Sequence, residues 1–394
     1  MVKIRVLHHS NQLGIGGTEK TMQLFCKYLD KDRFEVHALT RRYPVPRHRI
    51  WSDSLKDWLG SEEAHRRNEM YDLLHSRVPE FEKILGKEKI HFFTNRSLSH
   101  IIKDISPHIL HVHHSGISEP PLDQTDAIRD IPIIFTTNVF GYQGASPYQE
   151  KIDRILFISS WLKDSTASWS SRDARCGVLY YPIEKPYTDG SLREELQIGR
   201  DIFVVGRIGR NSDDIHDVIS LKAYREIEND RTLFLALAPP PKMKEDANDL
   251  GIKNIYYLEP TLDNLFLSKF YNTIDVMAHA RFDGETFGCV IAEAMIHGKP
   301  VVTHRSHIRN AQAELVDGSS GFVVDQHDWK KYAECLRLLM DHVDFRLRMG
   351  TAARMRAFEN FEAAMVTRKL EGFYLEELEK KALPVARESA IRYN

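Results

Sequence analysis

The chain has 394 residues, 42% of them hydrophobic and 28% charged, which at roughly 100–200 residues per domain is enough for two domains with a core each. Lys and Arg number 54 against 56 Asp and Glu, a formal net charge of -2, and this balance excludes the basic excess of a dedicated nucleic-acid binder. The cysteines Cys26, Cys176, Cys289 and Cys335 stand at no metal-ligand or redox spacing and read as buried thiols in a reducing compartment.

The opening MVKIRVLHHSN is too short and too polar for a secretory signal. No stretch nears the ~20 apolar residues that span a bilayer. The expected location is the cytoplasm, with peripheral attachment at the inner face of the membrane left open.

Residues 4–7 form the first predicted strand. A glycine turn, Gly14-Ile15-Gly16-Gly17, leads into a helix from Thr18 to Leu29, with Met22, Phe25, Cys26 and Leu29 at helical spacing. Strands follow at 36–39, 109–112, 133–135 and 155–158. Residues 41–90 break this pattern and read as an insertion. They begin with a basic segment holding Arg41, Arg42, Arg47, Arg49 and Trp51, and continue as charged helical sequence to about Gly86. Pro182 to Glu195 reads as a linker. A second run has strands at 202–205, 233–237, 255–258, 276–278, 301–303 and 322–324. Its helices fall at about 215–229, 264–273, 288–298 and 328–341. One Glu- and Lys-rich helical pattern closes the chain at about 359–383. Strands alternating with helices imply βαβ units on parallel sheets.

In open parallel sheets, ligands bind outside the carboxyl ends of the strands. The richest such loop follows residues 276–278. Glu285 lies in it, a helix opens near Gly288, and Glu293 lies within that helix. A helix N-terminus, with unpaired N–H groups and partial positive charge, seats a phosphate. The flanking carboxylates suit a long ligand with hydroxyl-rich ends and a diphosphate between them.

Glu285-Thr286-Phe287-Gly288, Glu293-Ala294-Met295 and Gly298-Lys299-Pro300-Val301-Val302 together resemble the signature of the retaining GT-B enzymes of the glycosyl transferases group 1 family (glycosyltransferase family 4-like). The resemblance implies an α/β fold of two Rossmann-like domains facing each other across a cleft. An acceptor-binding domain would take residues 1–184 and a nucleotide-sugar-binding domain 185–360. A C-terminal helix, 361–394, would cross back to the first domain. It further implies that Glu285 holds donor-sugar hydroxyls and Glu293 the ribose hydroxyls. The diphosphate would lie on backbone amides at Thr286, Phe287, Gly288 and Cys289.

Val205-Gly206-Arg207-Ile208 is similar to another element of that family, whose arginine contacts the diphosphate. At a strand end, Arg207 offers a bidentate fork to phosphate oxygens. A lysine usually follows in the family. Here Asp213-Asp214-Ile215-His216 stands instead, and Arg210 is the expected substitute. In the family the glycine loop with Gly16 and Gly17 faces the donor phosphates and acceptor. A tight strand-to-helix turn is the alternative, since G-x-G-G lacks the dinucleotide spacing.

His111-Val112-His113-His114 is similar to the family's H-x-H element near the donor sugar. Strand alternation sends His111 and His113 to one face and His114 to the other. His113 and His114 both remain candidates, and His111 is read as structural. No carboxylate or cysteine stands at ligand spacing beside these histidines, and the family is mostly metal-independent, so no metal is expected. Asn138 reads either as a cleft residue or as part of a turn. Ser159-Ser160 and Tyr181-Pro182-Ile183 read as structural.

The implied activity is transfer of a hexose-type sugar, with retention, from a nucleotide-diphosphate sugar. The donor is a UDP- or GDP-sugar, the acceptor is a glycan, lipid-linked or small-molecule hydroxyl, and no further cofactor is required. Glu285, His113, His114 and Arg207 are the implied catalytic residues. The alternatives are a nucleotide-sugar epimerase, a glycan phosphorylase, and a silent sugar-nucleotide-binding subunit that rests on the 213–216 stretch. The basic 41–51 segment either meets anionic lipid or is a solvated loop.

Overall fold

The computed structural model describes residues 3–14, 16–41, 55–56, 74–94, 97–114, 121–124, 126–138, 152–166 and 173–391. The chain divides into two compact units: Met1–Ile158 with Lys163–Pro182 and Val366–Asn394, and Ser159–Leu162 with Ile183–Met365. Of the basic 41–51 segment only Arg41 is among the described residues. Arg42, Arg47, Arg49 and Trp51 lie outside them.

In the first unit β1 (Ile4–Ser10) leads into α1 (Gly17–Tyr28) and β2 (Phe34–Arg41). Next come α2 (Val78–Leu85), β3 (Ile90–Phe93), α3 (Leu98–Ile105), β4 (Ile109–His114), β5 (Ile133–Asn138) and β6 (Arg154–Phe157). Helix α4 (Ser160–Thr166), whose first three residues belong to the second unit, and β7 (Cys176–Val178) follow. The sheet order is β3-β2-β1-β4-β5-β6-β7, parallel throughout. The strand order reverses between β1 and β4, the position at which such sheets open a crevice at their carboxyl edge. The core joins Val6, Phe25, Val36, Ile109 and Leu156 to Val366, Leu370 and Tyr374 of the last helix.

The second unit carries β8 (Phe203–Ile208), α5 (Ile219–Arg225), β9 (Thr232–Leu237), α6 (Pro241–Asp249), β10 (Ile255–Leu258), α7 (Asn264–Thr273) and β11 (Val276–Ala278). It continues with α8 (Cys289–Ile296), β12 (Val301–His304), α9 (Ala311–Leu315), β13 (Gly321–Val324), α10 (Trp329–Asp341) and α11 (Val343–Asn360). The final helix, α12 (Ala363–Ile391), starts here and continues into the first unit. The order β10-β9-β8-β11-β12-β13 is again all parallel, with its reversal between β8 and β11. That reversal puts the loops after Arg207 and after Ala278 side by side.

Helix α5 is shorter than the predicted 215–229. Residues 213–215 form a 3-10 turn, and the Asp217 carboxylate accepts the Ile219 N–H at 2.9 Å, restarting the helix there. The stretch read as a linker is fastened to the second unit. Leu192 N–H donates to Thr273 Oγ1 at 2.7 Å, and the Arg193 guanidinium donates to Asp275 at 2.9 Å.

Candidate functional site

The loop after β11 is shaped by two glycines. Gly284 has φ +65°, and a Cβ there would lie 1.9 Å from the Arg309 carbonyl oxygen. Gly288, with φ +103°, precedes the first residue of α8. Both are backbone regions that side chains disfavour. Between them Glu285 is held on every side. Its N–H donates to Gln312 Oε1 at 2.9 Å, and its carbonyl accepts the Ala311 N–H at 3.0 Å. Its carboxylate meets His279 Nε2 at 3.2 Å through Oε1 and an Arg281 nitrogen at 3.5 Å through Oε2. The Arg281 guanidinium is chiefly engaged by Asp283, at 2.6 Å, which also takes Arg309 at 2.5 Å. Burial opposes the Arg281 charge, but Asp283 and Glu285 outweigh it and hold its pKa above the ordinary value.

Thr286 offers its carbonyl to the Ser159 hydroxyl at 2.7 Å. Phe287 is buried edge-on against Phe361. Cys289 opens α8 and is half-buried. One turn on, the Glu293 carboxylate accepts the Tyr271 hydroxyl at 2.8 Å, and the Tyr271 ring stacks on His297. Sequence reasoning assigned Glu285 and Glu293 but passed over the groups that hold them: His279, Thr303, Arg281, Gln312 and Tyr271.

Arg207 closes the other side of the strand reversal. It is 4% exposed, and its guanidinium donates to the Ala238 carbonyl at 3.1 Å. Among the described residues no carboxylate pairs with it, and burial brings its pKa down to about 10. Arg210, the expected substitute for the family lysine, is exposed and has no side-chain partner among the described residues. The acidic stretch after it is in use. Asp213 accepts the Lys242 N–H at 2.9 Å, and His216 meets Asp246 at 2.9 Å, so both fasten α6. Ile215 accepts the Phe282 N–H at 3.1 Å, which ties this stretch to the Glu285 loop.

In the first unit the glycine loop is partly filled by its own helix. Gly16 is extended, with φ -173°, and a Cβ there would meet Glu19 Oε2. The buried Glu19 carboxyl is raised by desolvation and accepts Gln12 at 3.1 Å. Gly17 has only Tyr181 near the Cβ direction, at 3.8 Å.

His111 and His113 of β4 are buried. His113 and His111 do share a face, but that face is the core. The parallel register sets His8 beside His111. The rings of His111 and His113 stack at 4.5 Å, and His8 Nδ1 meets His113 Nε2 at 3.0 Å. Phe25 packs on this group, and Tyr374 holds His111 Nδ1 at 2.5 Å. His113 therefore faces a histidine stack within its own unit. The side chains of His114 and Asn138 lie outside the described residues.

The nitrogens of His8, His111 and His113 lie within 4.8 Å of one another, a spacing a metal ion could use. The chemistry argues for a structural stack. A dication there would have no carboxylate among these residues to offset it. Binding through the facing nitrogens would also leave His8 Nε2 and His113 Nδ1, both buried without a partner, as two orphaned N–H groups.

Residues 199–342 match the family described as glycosyl transferases group 1. A D-inositol 3-phosphate glycosyltransferase of Corynebacterium efficiens is 30% identical over 211 residues, 50% of this chain and 48% of that protein. The capsular polysaccharide biosynthesis glycosyltransferase CapM of Staphylococcus aureus is 27% identical over 215 residues, 49% and 51%. The chain thus spans about half the length of the curated relatives it matches. Among solved structures, a glycosyltransferase from Rickettsia africae superposes with a TM-score of 0.70 at 16% identity, over 95% of this chain and 99% of that one. Anabaena HepE in complex with UDP and glucose gives 0.68 at 14% identity, over 95% and 100%. Residues 199–342, with the Glu285 loop and α8 inside them, are thus similar to glycosyl transferases group 1, and the chain has the two-domain Rossmann-like GT-B fold.

Proposed function

We propose that the chain is a retaining glycosyltransferase that moves a hexose-type sugar from a nucleotide-diphosphate sugar to an acceptor hydroxyl. The observation that carries this reading is Arg207. A buried cation with a single neutral partner among the described residues is costly, and it suits an anion that arrives with the ligand. The N-terminus of α8, across the same strand reversal, favours that anion too. Glu285 then takes donor-sugar hydroxyls and Glu293, oriented by Tyr271, takes ribose hydroxyls. Thr286, Phe287, Gly288 and Cys289 supply amides to the diphosphate, and Arg210 supplies further positive charge.

In the proposed reaction the acceptor hydroxyl attacks on the face from which the nucleoside diphosphate departs, and the leaving phosphate takes the acceptor proton. The protein contributes positioning and stabilisation of the departing charge. No metal is required in this scheme. HepE was crystallised with UDP and with UDP-glucose, which supports a uridine donor, with GDP-sugars as the second choice. A glycan, lipid-linked or small-molecule hydroxyl is the proposed acceptor. Gly16 and Gly17 are proposed donor-binding residues, and His113 and His114 are the proposed catalytic histidines. Among the described residues no helix is long and apolar enough to cross a membrane. A cytoplasmic enzyme with peripheral contact through the basic 41–51 segment is the proposed setting.

A thermal-shift screen of UDP, GDP, ADP and their sugars tests the reading. A donor present at 100 times its Kd stabilises the fold by about 2.7 kcal/mol. Assaying nucleoside diphosphate release with and without acceptors then separates a transferase from an epimerase, which converts donor alone. A protein stabilised by none of these ligands is not this enzyme.

A further inference from the structure

His279 stands immediately after β11 and is 4% exposed. All its polar atoms are engaged. Its N–H donates to the Val302 carbonyl at 2.9 Å, and its own carbonyl accepts the Tyr332 hydroxyl at 3.2 Å. Its ring lies between Thr303 Oγ1, 2.9 Å from Nδ1, and Glu285 Oε1, 3.2 Å from Nε2. Thr303 is itself fully buried on β12. An ionised carboxylate only accepts hydrogen bonds, so Nε2 carries the proton and donates to Glu285. Nδ1 is then a lone pair and accepts the Thr303 hydroxyl. The threonine thereby selects the tautomer that the glutamate needs.

We infer that His279, with Thr303 behind it, is the positioning residue that aims the Glu285 carboxylate at the donor sugar. The inference rests on the function proposed above. Glu285 has two neighbours that compete for it. Arg281 lies 3.5 Å from Oε2, already paired with Asp283 and with charge to spare for a second carboxylate. His279 holds Oε1 against the strand ends, so Oε2 is the oxygen presented to sugar hydroxyls. Without the imidazole N–H, Glu285 loses its anchor on the β11 side, and its carboxylate turns towards Arg281. The nucleotide contacts through Arg207 and α8 do not pass through His279. The expected defect is therefore confined to the sugar.

The test compares binding of UDP with UDP-glucose, and GDP with GDP-mannose, in wild type, His279→Phe, His279→Gln and Thr303→Val. Donor hydrolysis without acceptor is measured alongside. In the phenylalanine variant the nucleoside diphosphate should bind within about 2-fold of wild type, while kcat for hydrolysis falls on the order of 100-fold, the scale of a misplaced reacting group. Glutamine, whose amide nitrogen can still donate to Glu285, should restore most of the loss. Thr303→Val should fall between, because it frees the tautomer. Nucleoside diphosphate affinity reports whether each variant is folded, and if the phenylalanine variant is not, Thr303→Val decides. A phenylalanine variant that keeps the full contribution of the sugar overturns the inference, as does a glutamine variant as defective as phenylalanine. A wild-type protein that binds no nucleoside diphosphate overturns the proposed function, and this inference with it.

Discussion

The Arg207 guanidinium reaches the carbonyl oxygen of Ala238 at 3.1 Å, where the backbone takes a left-handed step, with φ +52° at that alanine. A non-glycine residue there is uncommon. The contact satisfies one nitrogen of a nearly buried cation, and no carboxylate among the described residues answers its charge.

That arrangement predicts a trade between stability and binding. Arg207→Met removes a buried charge while keeping an unbranched stem. Replacing buried charges with apolar groups is often neutral or stabilising by about 1–4 kcal/mol. The variant should melt at the same temperature as wild type or higher, yet lose the shift induced by UDP or GDP. Calorimetry with and without nucleotide reads both. A variant destabilised by more than about 2 kcal/mol, or one that binds nucleotide normally, removes Arg207 from the anion site.

Arg210 is the second cation on this edge, and its exposure makes its role conditional on salt. Arg210→Ala should weaken nucleoside diphosphate binding by roughly 3- to 10-fold at low ionic strength. The difference should shrink as salt is raised to about 0.1 M, where the Debye length falls to ~10 Å. Titrations at two ionic strengths check this. Equal affinities at low salt leave the missing family lysine without a replacement.

Much of the second unit was legible because its strands are apolar runs bounded by turns, the mark of strands buried on both faces. Residues 255–258 and 276–278 were read with the bounds they have. Other elements hide for physical reasons. Strand β1 runs on through His8, His9 and Ser10, which are buried although polar. Strands β3 and β7 are four and three residues long, too short to show a period. Helix α11 leaves Val343, Leu347 and Met355 exposed, so it shows no clean stripe. At the site, the motif exposed the two glutamates. The pairing of β11 with β12 brings Thr303 to His279 across 24 positions, which no local pattern reveals. The register His8 to His111 likewise brings His113 into a buried stack that no local pattern shows.

Gly284 offers a clean steric experiment because Gly251 has nearly the same conformation, φ +64° against +65°. A Cβ at Gly251 meets nothing within 4 Å, whereas at Gly284 it lands 1.9 Å from the Arg309 carbonyl oxygen. Gly251→Ala should cost about 1 kcal/mol, from the left-handed backbone alone. Gly284→Ala should cost clearly more and shift the Glu285 loop, weakening UDP-glucose more than UDP. Denaturant unfolding of the two variants measures the difference. Equal costs would mean that the loop yields freely and does not define the site.

The stack of His8, His111 and His113 makes the first unit acid-sensitive. Burial is the leading cause that holds all three pKa values well below the ordinary 6.5, and neighbouring histidines add to it. In the unfolded chain each takes a proton near pH 6.5, and in the folded unit each stays neutral. Below about pH 6.5 the unfolded state therefore binds more protons, so stability falls as pH falls and is fully present above that range. Each histidine contributes a slope approaching about 1.4 kcal/mol per pH unit, or about 4 for the three together. Amide hydrogen exchange of β1 and β4 at about pH 7.5 and about pH 5.5, corrected for intrinsic rates, should show protection collapsing at the lower value. His8→Phe should flatten that slope by about a third, since Phe25 already packs against this ring and an apolar neighbour is tolerated. Protection equal at both pH values would place the three imidazoles in contact with solvent.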